Sequence, residues 1–369
     1  MLKSKCLKIL CVIDCLGSGG AQRQLVGLAV AFKEKGHDVT FLVYHEDNFF
    51  KATLDTAYIS VILVQESNYW TRLLKMRRYI RHGQFDVVIS FLDAANFICE
   101  MAGFPWKRWK LVVGERSSNP QILTSFKLRF YRWMHLLSDY VVANSEANIE
   151  IIKRVNPLIS DKKCKVIYNF IDFAKWQMAQ DYIPLQNGKL NLIVVASHSQ
   201  IKNAKGLIEA INHLNNEQKR KISVHWYGKQ YLDNSFEEAK YLIIQYSLQN
   251  IFTFHLPTKN IHEIMKYADV VGLFSLFEGL PNVICEAMAL NKPIIASSVS
   301  DIPKMIMGNK NNIFDPENPK DIARTITYFL SLSETELVNS AKNYRRRACL
   351  LFSKEQIVNK YLDLMFDQS

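Results

Sequence analysis

The chain has 369 residues, which is too long for one ordinary hydrophobic core and predicts two α/β domains. Apolar residues make up 49% of it, as in globular proteins, and 46 basic against 35 acidic side chains give a formal charge of +11. The seven cysteines form neither a C-x-x-C pair nor a disulfide framework, which favours reduced thiols in the cytoplasm. No apolar run approaches the roughly 18 residues of a membrane-spanning helix, so we expect a soluble or peripheral protein.

Short apolar runs alternate with helix-like segments along the chain. In the first half the runs cover residues 9–13, 39–43, 60–64, 87–91, 111–113 and 140–143. In the second half they cover residues 191–195, 223–227, 251–254, 270–274 and 293–296. This alternation predicts parallel, doubly wound sheets, and its two halves predict two Rossmann-like domains of the α/β class.

The segment 170–189 has little periodicity and contains Pro184 and Gly188, so we assign it to the connection between the domains. The predicted domains are residues 1–178 and 179–353. Residues 354–369 form an amphipathic tail that predicts a last helix.

A glycine-rich loop follows the first predicted strand. Gly17, Gly19 and Gly20 precede Gln22, and such a loop lets the backbone approach a ligand closely. A dinucleotide fingerprint would need glycine at the position of Gln22, so the G-x-G-x-x-G pattern fails at its third glycine. A dehydrogenase is therefore disfavoured, and a turn that only packs helix against strand stays open.

The segment from Glu278 to Glu286 is the most informative of the chain. It places two carboxylates on either side of a strand end, a turn at Gly279 and a helix start that Asn282 can cap. A helix N-terminus carries a partial positive charge and unpaired N–H donors, which suits a departing diphosphate. Glu286, about one turn into the helix, can reach ribose hydroxyls. This arrangement indicates a nucleotide-sugar site.

These residues resemble the retaining glycosyltransferases of family 4, whose donor motif is Glu, seven residues, Glu. Gly-Leu-Pro-Asn between the carboxylates and Glu-Ala-Met-Ala-Leu after them follow the family closely. The resemblance implies the GT-B fold, with two Rossmann-like domains facing across a cleft. The first would be the acceptor side, to which the helix of 354–369 returns, and the second the donor side.

The resemblance also implies roles for individual residues. Glu278 would orient the transferred sugar, and Lys202 would bind the donor phosphates. The donor-binding positions would be Glu286, Gly279, Leu280, Asn282, Val283, Ser197 and His198. Gly19, Gly20 and Gln22 would form a loop lining the cleft, and Arg116, just after the fifth strand, is a further candidate cation.

One position departs from the family. Members usually carry Arg five residues before the Lys, and Ser197 occupies that place here. A serine offers one neutral hydrogen bond where an arginine neutralises part of the leaving diphosphate. His198 or Lys205 are the candidates for compensation.

We expect neither a cofactor nor a metal ion. The chain has no D-x-D acidic pair, and its histidines lack paired ligand spacing. Lys202 and the N-terminus of the helix after Gly279 would neutralise the diphosphate in place of a metal ion. In the family, departure and attack occur on the same face of the sugar, and the leaving phosphate helps to deprotonate the acceptor.

A basic, aromatic segment lies between residues 104 and 137. Its cations are Lys107, Arg108, Lys110, Arg116, Lys127, Arg129 and Arg132, and its aromatic residues include Trp106, Trp109, Phe126, Phe130, Tyr131 and Trp133. This composition suits an anionic membrane surface, where each cation contributes roughly 1 kcal/mol. Basic helices with aromatic rings in the core are the alternative. Nothing resembles a nucleic-acid module, so we expect no nucleic-acid partner.

The sequence thus predicts a cytoplasmic, retaining, metal-independent glycosyltransferase of polysaccharide synthesis, with peripheral attachment to the inner face of the membrane as an open possibility. Its partners would be a nucleoside-diphosphate sugar and a saccharide or lipid-linked acceptor. Two alternatives remain at this point. One is a nucleotide-sugar epimerase or hydrolase of the same fold, and the other is an inactive nucleotide-sugar-binding protein, which the serine at 197 would favour.

Overall fold

The computed structural model describes residues 5–117, 119–185 and 188–367, and the chain divides into two compact units. Unit 1 runs to Phe170 and resumes at Lys354, and unit 2 is Ile171–Ser353. Sequence analysis placed the boundary later, after residue 178. The structure places it earlier because Ile171 donates its N–H to the Phe352 carbonyl at 3.0 Å, and Trp176 is buried in unit 2. Residues 186 and 187 of the predicted connection lie outside the described residues.

Unit 1 contains a seven-stranded parallel sheet in the order β3-β2-β1-β4-β5-β6-β7. Its strands are β1 Lys8–Val12, β2 Asp38–Val43, β3 Ser60–Leu63, β4 Val87–Phe91, β5 Lys110–Glu115, β6 Tyr140–Ala143 and β7 Cys164–Val166. Its first helices are α1 Gly20–Glu34, α2 Lys51–Thr56, α3 Tyr69–His82, α4 Asp93–Gly103, α5 Phe126–Met134 and α6 Glu146–Val155. Sequence analysis did not predict β7, a three-residue edge strand.

Unit 2 contains a six-stranded parallel sheet in the order β10-β9-β8-β11-β12-β13. Its strands are β8 Leu190–Val195, β9 Ile222–Tyr227, β10 Phe252–His255, β11 Val270–Leu273, β12 Ile294–Ser297 and β13 Ile313–Phe314. Its helices are α7 Ala204–His213, α8 Asn216–Arg220, α9 Ser235–Gln245, α10 Ile261–Lys266, α11 Asn282–Ala289, α12 Ile302–Met305, α13 Pro319–Leu330, α14 Glu334–Ser340 and α15 Tyr344–Phe352. A last helix, α16 Lys354–Phe366, belongs to unit 1.

The doubly wound form follows from the alternation of side chains along the strands. In β1, Ile9 and Cys11 belong to one hydrophobic cluster and Leu10 and Val12 to another, because neighbouring residues of a strand point to opposite faces. Helices cover both faces of a sheet built in this way. The two predicted Rossmann-like domains are therefore confirmed.

Helix α16 completes the core of unit 1. Its buried residues include Ile357, Val358 and Tyr361, and the Tyr361 ring packs edge-on against Phe32 of α1, with ring centroids 6.4 Å apart. The Tyr361 hydroxyl accepts a hydrogen bond from Arg116 Nη2 at 2.5 Å. The end of the chain is therefore part of the same hydrophobic core as the first strand.

We predict that Tyr361→Ala lowers the free energy of unfolding of unit 1 by about 3–5 kcal/mol, as is usual when a large buried ring is truncated. The measurement is urea unfolding followed by circular dichroism. Lys360→Ala is the matched control, because this neighbour on α16 is exposed and its loss is expected to change stability by about 0.5 kcal/mol or less. Equal effects of the two substitutions would contradict the placement of α16.

Candidate active site

The carboxyl edge of the unit 2 sheet brings the second half's predicted site residues together. The strand order reverses between β8 and β11, and ligands of open parallel sheets bind outside the carboxyl ends of the strands at such a point. Lys202 lies in the loop after β8, and Glu278 lies in the loop after β11. The two residues, 76 positions apart in the sequence, therefore meet at one crevice.

Lys202 and Glu278 form an ion pair. Lys202 Nζ lies 2.5 Å from Glu278 Oε1, and the same oxygen accepts a hydrogen bond from Ser275 Oγ at 2.6 Å. The side chains remain 25% and 12% exposed, respectively, so both are accessible to a ligand. The Leu276 N–H donates to the Ile201 carbonyl at 2.8 Å and ties the two loops together. The pair is thus held on a fixed backbone frame.

Asn203 fixes the orientation of this frame, and sequence analysis did not single it out. Its backbone is left-handed, with φ 58° and ψ 45°, and its Oδ1 accepts from the Gly206 N–H at 3.1 Å to cap α7. Its Nδ2 donates to the carbonyls of Phe274 and Pro316 at 3.1 and 2.8 Å. One asparagine therefore caps the helix after β8 and binds the loop after β11. The sequence signal that could have indicated this role is an asparagine between a predicted strand and a predicted helix.

Helix α11 begins at the same edge, but Asn282 does not cap it. Pro281 takes the N-cap position with extended backbone, and Asn282 is already the first helical residue. The prediction of an asparagine cap was wrong because the cap is defined by backbone conformation, which proline sets here. Leu280, Val283 and Glu286 are buried, with Glu286 about one turn into the helix. The Gly279 carbonyl accepts a hydrogen bond from Ser300 Oγ, which holds the turn.

His198 is buried in an aromatic cluster. Its ring is buried and stacks on Trp226 at 5.6 Å, with Phe236 and Phe254 at 4.6 and 5.0 Å. Burial lowers the pKa of His198 to about 4, so the ring is neutral near pH 7. A neutral imidazole can offer a hydrogen bond but no positive charge, so its role in place of an arginine at 197 stays a prediction.

Lys205 and Ser197 have other partners in the structure, and compensation by Lys205 stays a prediction. Lys205 Nζ pairs with Glu238 of α9 at 3.0 Å on the exposed side of the unit. Ser197 is half-buried, with its hydroxyl 3.5 Å from that of Ser199. Within the loop after β8, Lys202 is the cation directed toward Glu278.

A side-chain hydrogen bond from Gln22 joins the two ends of the glycine-rich loop of unit 1. Gly19 is the N-cap of α1 and Gly20 its first residue, and Gln22 Nε2 donates to Asp14 Oδ1 at 2.9 Å. A Cβ atom at Gly19 would lie 2.1 Å from Gln22 Oε1, so a larger residue there would displace the Gln22 side chain. The loop lies at the carboxyl end of β1, and Asp14 is a polar residue of it that sequence analysis missed.

Arg116 is held by unit 1 itself. Its guanidinium lies 3.8 Å from the centroid of the Phe91 ring and donates to the Tyr361 hydroxyl and, at 3.3 Å, to Asn169 Oδ1. These contacts join the end of β5 to α16. Its position after the fifth strand is as predicted, and its contacts are structural.

A buried group of charged residues lies beside Arg116, and sequence analysis did not find it. Arg132 Nη2 contacts Glu115 Oε2 at 2.6 Å and Asp93 Oδ1 at 3.0 Å. His135 contacts Glu100 at 2.6 Å through Nδ1 and Glu115 at 3.2 Å through Nε2. We call these five residues the buried charge network.

For Glu115 and His135, attraction between opposite charges affects the pKa more than burial does. Burial alone would raise the pKa of Glu115, but Arg132 and His135 lower it to about 2. Burial alone would lower the pKa of His135, but Glu100 and Glu115 raise it to about 9. His135 is therefore a cation at neutral pH.

The basic, aromatic segment divides between core and surface. Trp109 and Tyr131 are buried in unit 1, and Arg132 is fully buried. The exposed aromatic residues of the segment are Phe104, Trp106, Phe126, Phe130 and Trp133. Part of the segment is therefore core, as in the alternative interpretation, and the contact of its exposed part with a membrane stays a prediction.

No helix among residues 5–117, 119–185 and 188–367 is long and apolar enough to cross a membrane. Over the same part of the chain, no group of three or more His, Cys, Asp or Glu side chains is arranged to hold a metal ion.

Two family models match the chain, one on each side of the unit boundary. "Glycosyltransferase Family 4" matches residues 18–175, and "Glycosyl transferases group 1" matches residues 180–348. The chain belongs to glycosyltransferase family 4. The glycosyltransferase is 24% identical to a Campylobacter jejuni N-acetylgalactosaminyltransferase whose name specifies a diphospho-undecaprenol-linked saccharide, over 97% of this chain and 98% of the relative.

Solved structures confirm the GT-B fold of this glycosyltransferase. Anabaena Alr3699/HepE in complex with UDP is 19% identical, with a TM-score of 0.84 over 97% of this chain and 99% of that one. A glycosyltransferase from Rickettsia africae is also 19% identical, with a TM-score of 0.81 over 99% and 100% of the two chains.

We predict that the stability of unit 1 falls as pH rises from about 6.5 through about 9. The folded pKa of His135 is raised above its ordinary value, so its contribution is complete below about pH 6.5 and disappears as the imidazolium deprotonates. Urea unfolding at a series of pH values measures this. His135→Gln should be less stable and lose most of the slope, whereas His82→Gln, on the exposed end of α3, should keep it. A wild-type slope in His135→Gln would contradict the assignment.

Proposed function

We propose that this glycosyltransferase retains the anomeric configuration and works without a metal ion, moving a sugar from a nucleoside-diphosphate sugar to a lipid-linked saccharide. The observation that carries the proposal is the Lys202–Glu278 ion pair at the strand-order reversal of unit 2. A cation for phosphate and a carboxylate for sugar hydroxyls are thereby adjacent before any ligand binds.

The donor would be bound along α11. The N-terminus of this eight-residue helix directs its partial positive charge to the edge where Lys202 lies, and suits the diphosphate. Glu286, one turn further, would accept hydrogen bonds from the ribose hydroxyls. When the diphosphate arrives, the Lys202 ammonium turns from Glu278 to a phosphate oxygen, and the Glu278 carboxylate becomes free for a hydroxyl of the transferred sugar.

The transfer would follow from this arrangement. The bond between the anomeric carbon and the diphosphate oxygen breaks, and the acceptor hydroxyl attacks the same face of the sugar. The departing diphosphate takes the proton of that hydroxyl. Because Ser197 is neutral, Lys202 and the helix N-terminus carry the stabilisation of the leaving group, and this supply of positive charge is the reason to propose metal independence.

We propose a polyprenyl-diphosphate-linked saccharide as the acceptor and unit 1 as the side that binds it. The support is the Campylobacter jejuni relative, whose name specifies such an acceptor and which matches this chain over nearly its whole length. A UDP-sugar is the donor to test first, because Alr3699/HepE was crystallised with UDP and with UDP-glucose.

Unit 1 would carry the contact with an anionic membrane surface. Phe126 is 86% exposed at the start of α5, and Trp106 is 69% exposed between α4 and β5. Arg77 and Arg81 of α3 donate to the carbonyls of Phe104 and Ala102 at the end of α4, and Arg81 also donates to the Trp106 carbonyl at 3.2 Å, which places these cations beside the exposed Trp106. Exposed rings beside cations are typical of interfacial binding.

The test of the proposed reaction measures release of UDP from UDP-glucose, UDP-galactose, UDP-N-acetylglucosamine and UDP-N-acetylgalactosamine. Each is offered with a synthetic polyprenyl-diphosphate trisaccharide of N-acetylhexosamines, in the presence of EDTA. We expect transfer with one donor, unaffected by EDTA and with the α-linkage of the donor retained in the product by NMR. Transfer that needs added metal, or product of the inverted configuration, would overturn the respective part of the proposal.

Lys202→Ala should lower kcat on the order of a hundredfold or more, because one preorganised group facing the leaving diphosphate is removed. Lys205→Ala is the matched control, since this lysine lies three residues later and pairs with Glu238 on the exposed side. Comparable losses in the two variants would argue against a role for Lys202 at the diphosphate. UDP-sugar binding by the wild type without transfer or hydrolysis would instead favour the inactive nucleotide-sugar-binding protein.

Flotation with vesicles tests the membrane contact. The protein should float with vesicles containing anionic phospholipid and remain in the lower fraction with neutral phosphatidylcholine vesicles. The double variant Trp106→Ser/Phe126→Ser should lose flotation, whereas Tyr241→Ser, on an exposed ring of unit 2, should keep it. Flotation of the double variant at the wild-type level would exclude this face.

A further inference from the structure

Asp93 lies at the strand-order reversal of unit 1. The order changes between β1 and β4, and Asp93 is the first residue of α4, two positions after β4 ends. Its neighbour Leu92 has φ 78° and ψ 149°, a conformation that is strained for leucine and turns the chain abruptly into the helix. The glycine-rich loop follows β1 on the other side of the same point, so Asp93 lies where a ligand of this sheet is expected.

The carboxylate of Asp93 is fixed on one side and open on the other. Oδ1 contacts Arg132 Nη2 at 3.0 Å, and Oδ2 has no hydrogen-bond partner among the residues that the structure describes. The Asp93 side chain is 33% exposed, whereas that of Arg132 is 0% exposed. Asp93 is thus the point at which the buried charge network reaches the surface.

Arg132 does not need Asp93 for neutralisation. Glu115 already lies 2.6 Å from the same nitrogen, and it is 2% exposed. The network contains the carboxyl groups of Asp93, Glu100 and Glu115 against the cations Arg132 and His135. Burial raises the pKa of Glu100 and so favours its neutral form, which leaves Glu115 and Asp93 as the carboxylates beside Arg132. Asp93 is the more exposed of these two, and a charged group that is partly desolvated but still accessible is a candidate for a functional site.

We propose that the Asp93 carboxylate binds a hydroxyl group of the acceptor saccharide, and that Arg132 positions it. This assignment rests on the proposed function and adds a residue for the acceptor. The free oxygen accepts a hydrogen bond from the sugar hydroxyl, while Arg132, held by Glu115, prevents the carboxylate from turning away. No covalent step is assigned to Asp93.

The charged surroundings give this site a pH dependence. The charged groups that act on Asp93 are Glu115 of β5, Arg132 of α5 and His135 after α5. Burial and the Glu115 charge raise the pKa of Asp93, and Arg132 opposes them. The ionised carboxylate is the better acceptor, so acceptor binding should weaken as pH falls through this raised pKa.

The experiment compares Asp93→Asn and Asp93→Ala with wild type, using the trisaccharide acceptor and the donor defined above. We expect KM for the acceptor to rise about tenfold or more, as for a lost hydrogen bond to a charged group. KM for the donor and the slow hydrolysis of the UDP-sugar without acceptor should stay within about twofold, because Asp93 does not contact the donor. The acid-side rise of acceptor KM seen in wild type should be absent in both variants.

Asp38→Asn is the matched control, since this exposed aspartate begins β2 at the opposite edge of the same sheet. It should leave every parameter unchanged. If the wild type is active and both Asp93 variants keep its KM for the acceptor, the assignment of Asp93 is overturned but the proposed function is not. The same conclusion follows if the Asp93 variants lose transfer and donor hydrolysis to the same extent. A wild type without any transfer overturns the proposed function, and this assignment with it.

Discussion

Parallel strands impose the geometry on which everything else in this glycosyltransferase depends. Each strand returns through a helix on one face of the sheet, so the loops that follow the strands all emerge at the same edge. Where the order of strands reverses, two neighbouring loops turn to opposite faces and leave a crevice between them. Lys202 and Glu278 in unit 2, and Asp93 and the glycine-rich loop in unit 1, occupy these crevices. The chemistry of each unit is therefore placed by topology.

Both crevices contain a cation beside a carboxylate, but burial gives the two pairs different properties. Lys202 and Glu278 are partly exposed and joined to each other through one oxygen, so an arriving phosphate can separate them. Arg132 is fully enclosed and joined to Glu115 as well as to Asp93, so it stays in place. Separating an enclosed pair leaves an uncompensated charge in a poorly solvated place, which costs far more than in water. The Lys202–Glu278 pair is therefore suited to separate when a ligand binds, and the Arg132–Asp93 pair is suited to keep a fixed geometry.

The sequence predicted the features that depend on local pattern. Apolar runs predicted the central strands of both sheets, and the Glu278–Glu286 spacing predicted a donor-binding site in the second half. Both predictions depend only on residues that are close together in the sequence. The buried charge network was not predictable, since Asp93, Glu115 and Arg132 are distributed over three elements and only the fold joins them. The asparagine cap failed because Pro281 determines the backbone at the helix start. The surroundings of His198 were not predictable, because they come from Trp226 and Phe254 of neighbouring strands.

The two points where the chain passes between the units are adjacent within unit 2. Ile171 and Ser353 form a β-bridge, and the Ile171 N–H donates to the Phe352 carbonyl. Unit 2 is thus an insertion with neighbouring ends, placed between unit 1 and its own last helix. A fragment of residues 171–353 keeps its whole core, whereas truncation before α16 removes Tyr361 and its neighbours from unit 1. When the units are expressed separately, unit 2 can be taken as one continuous piece, and unit 1 requires the segments on both sides of it.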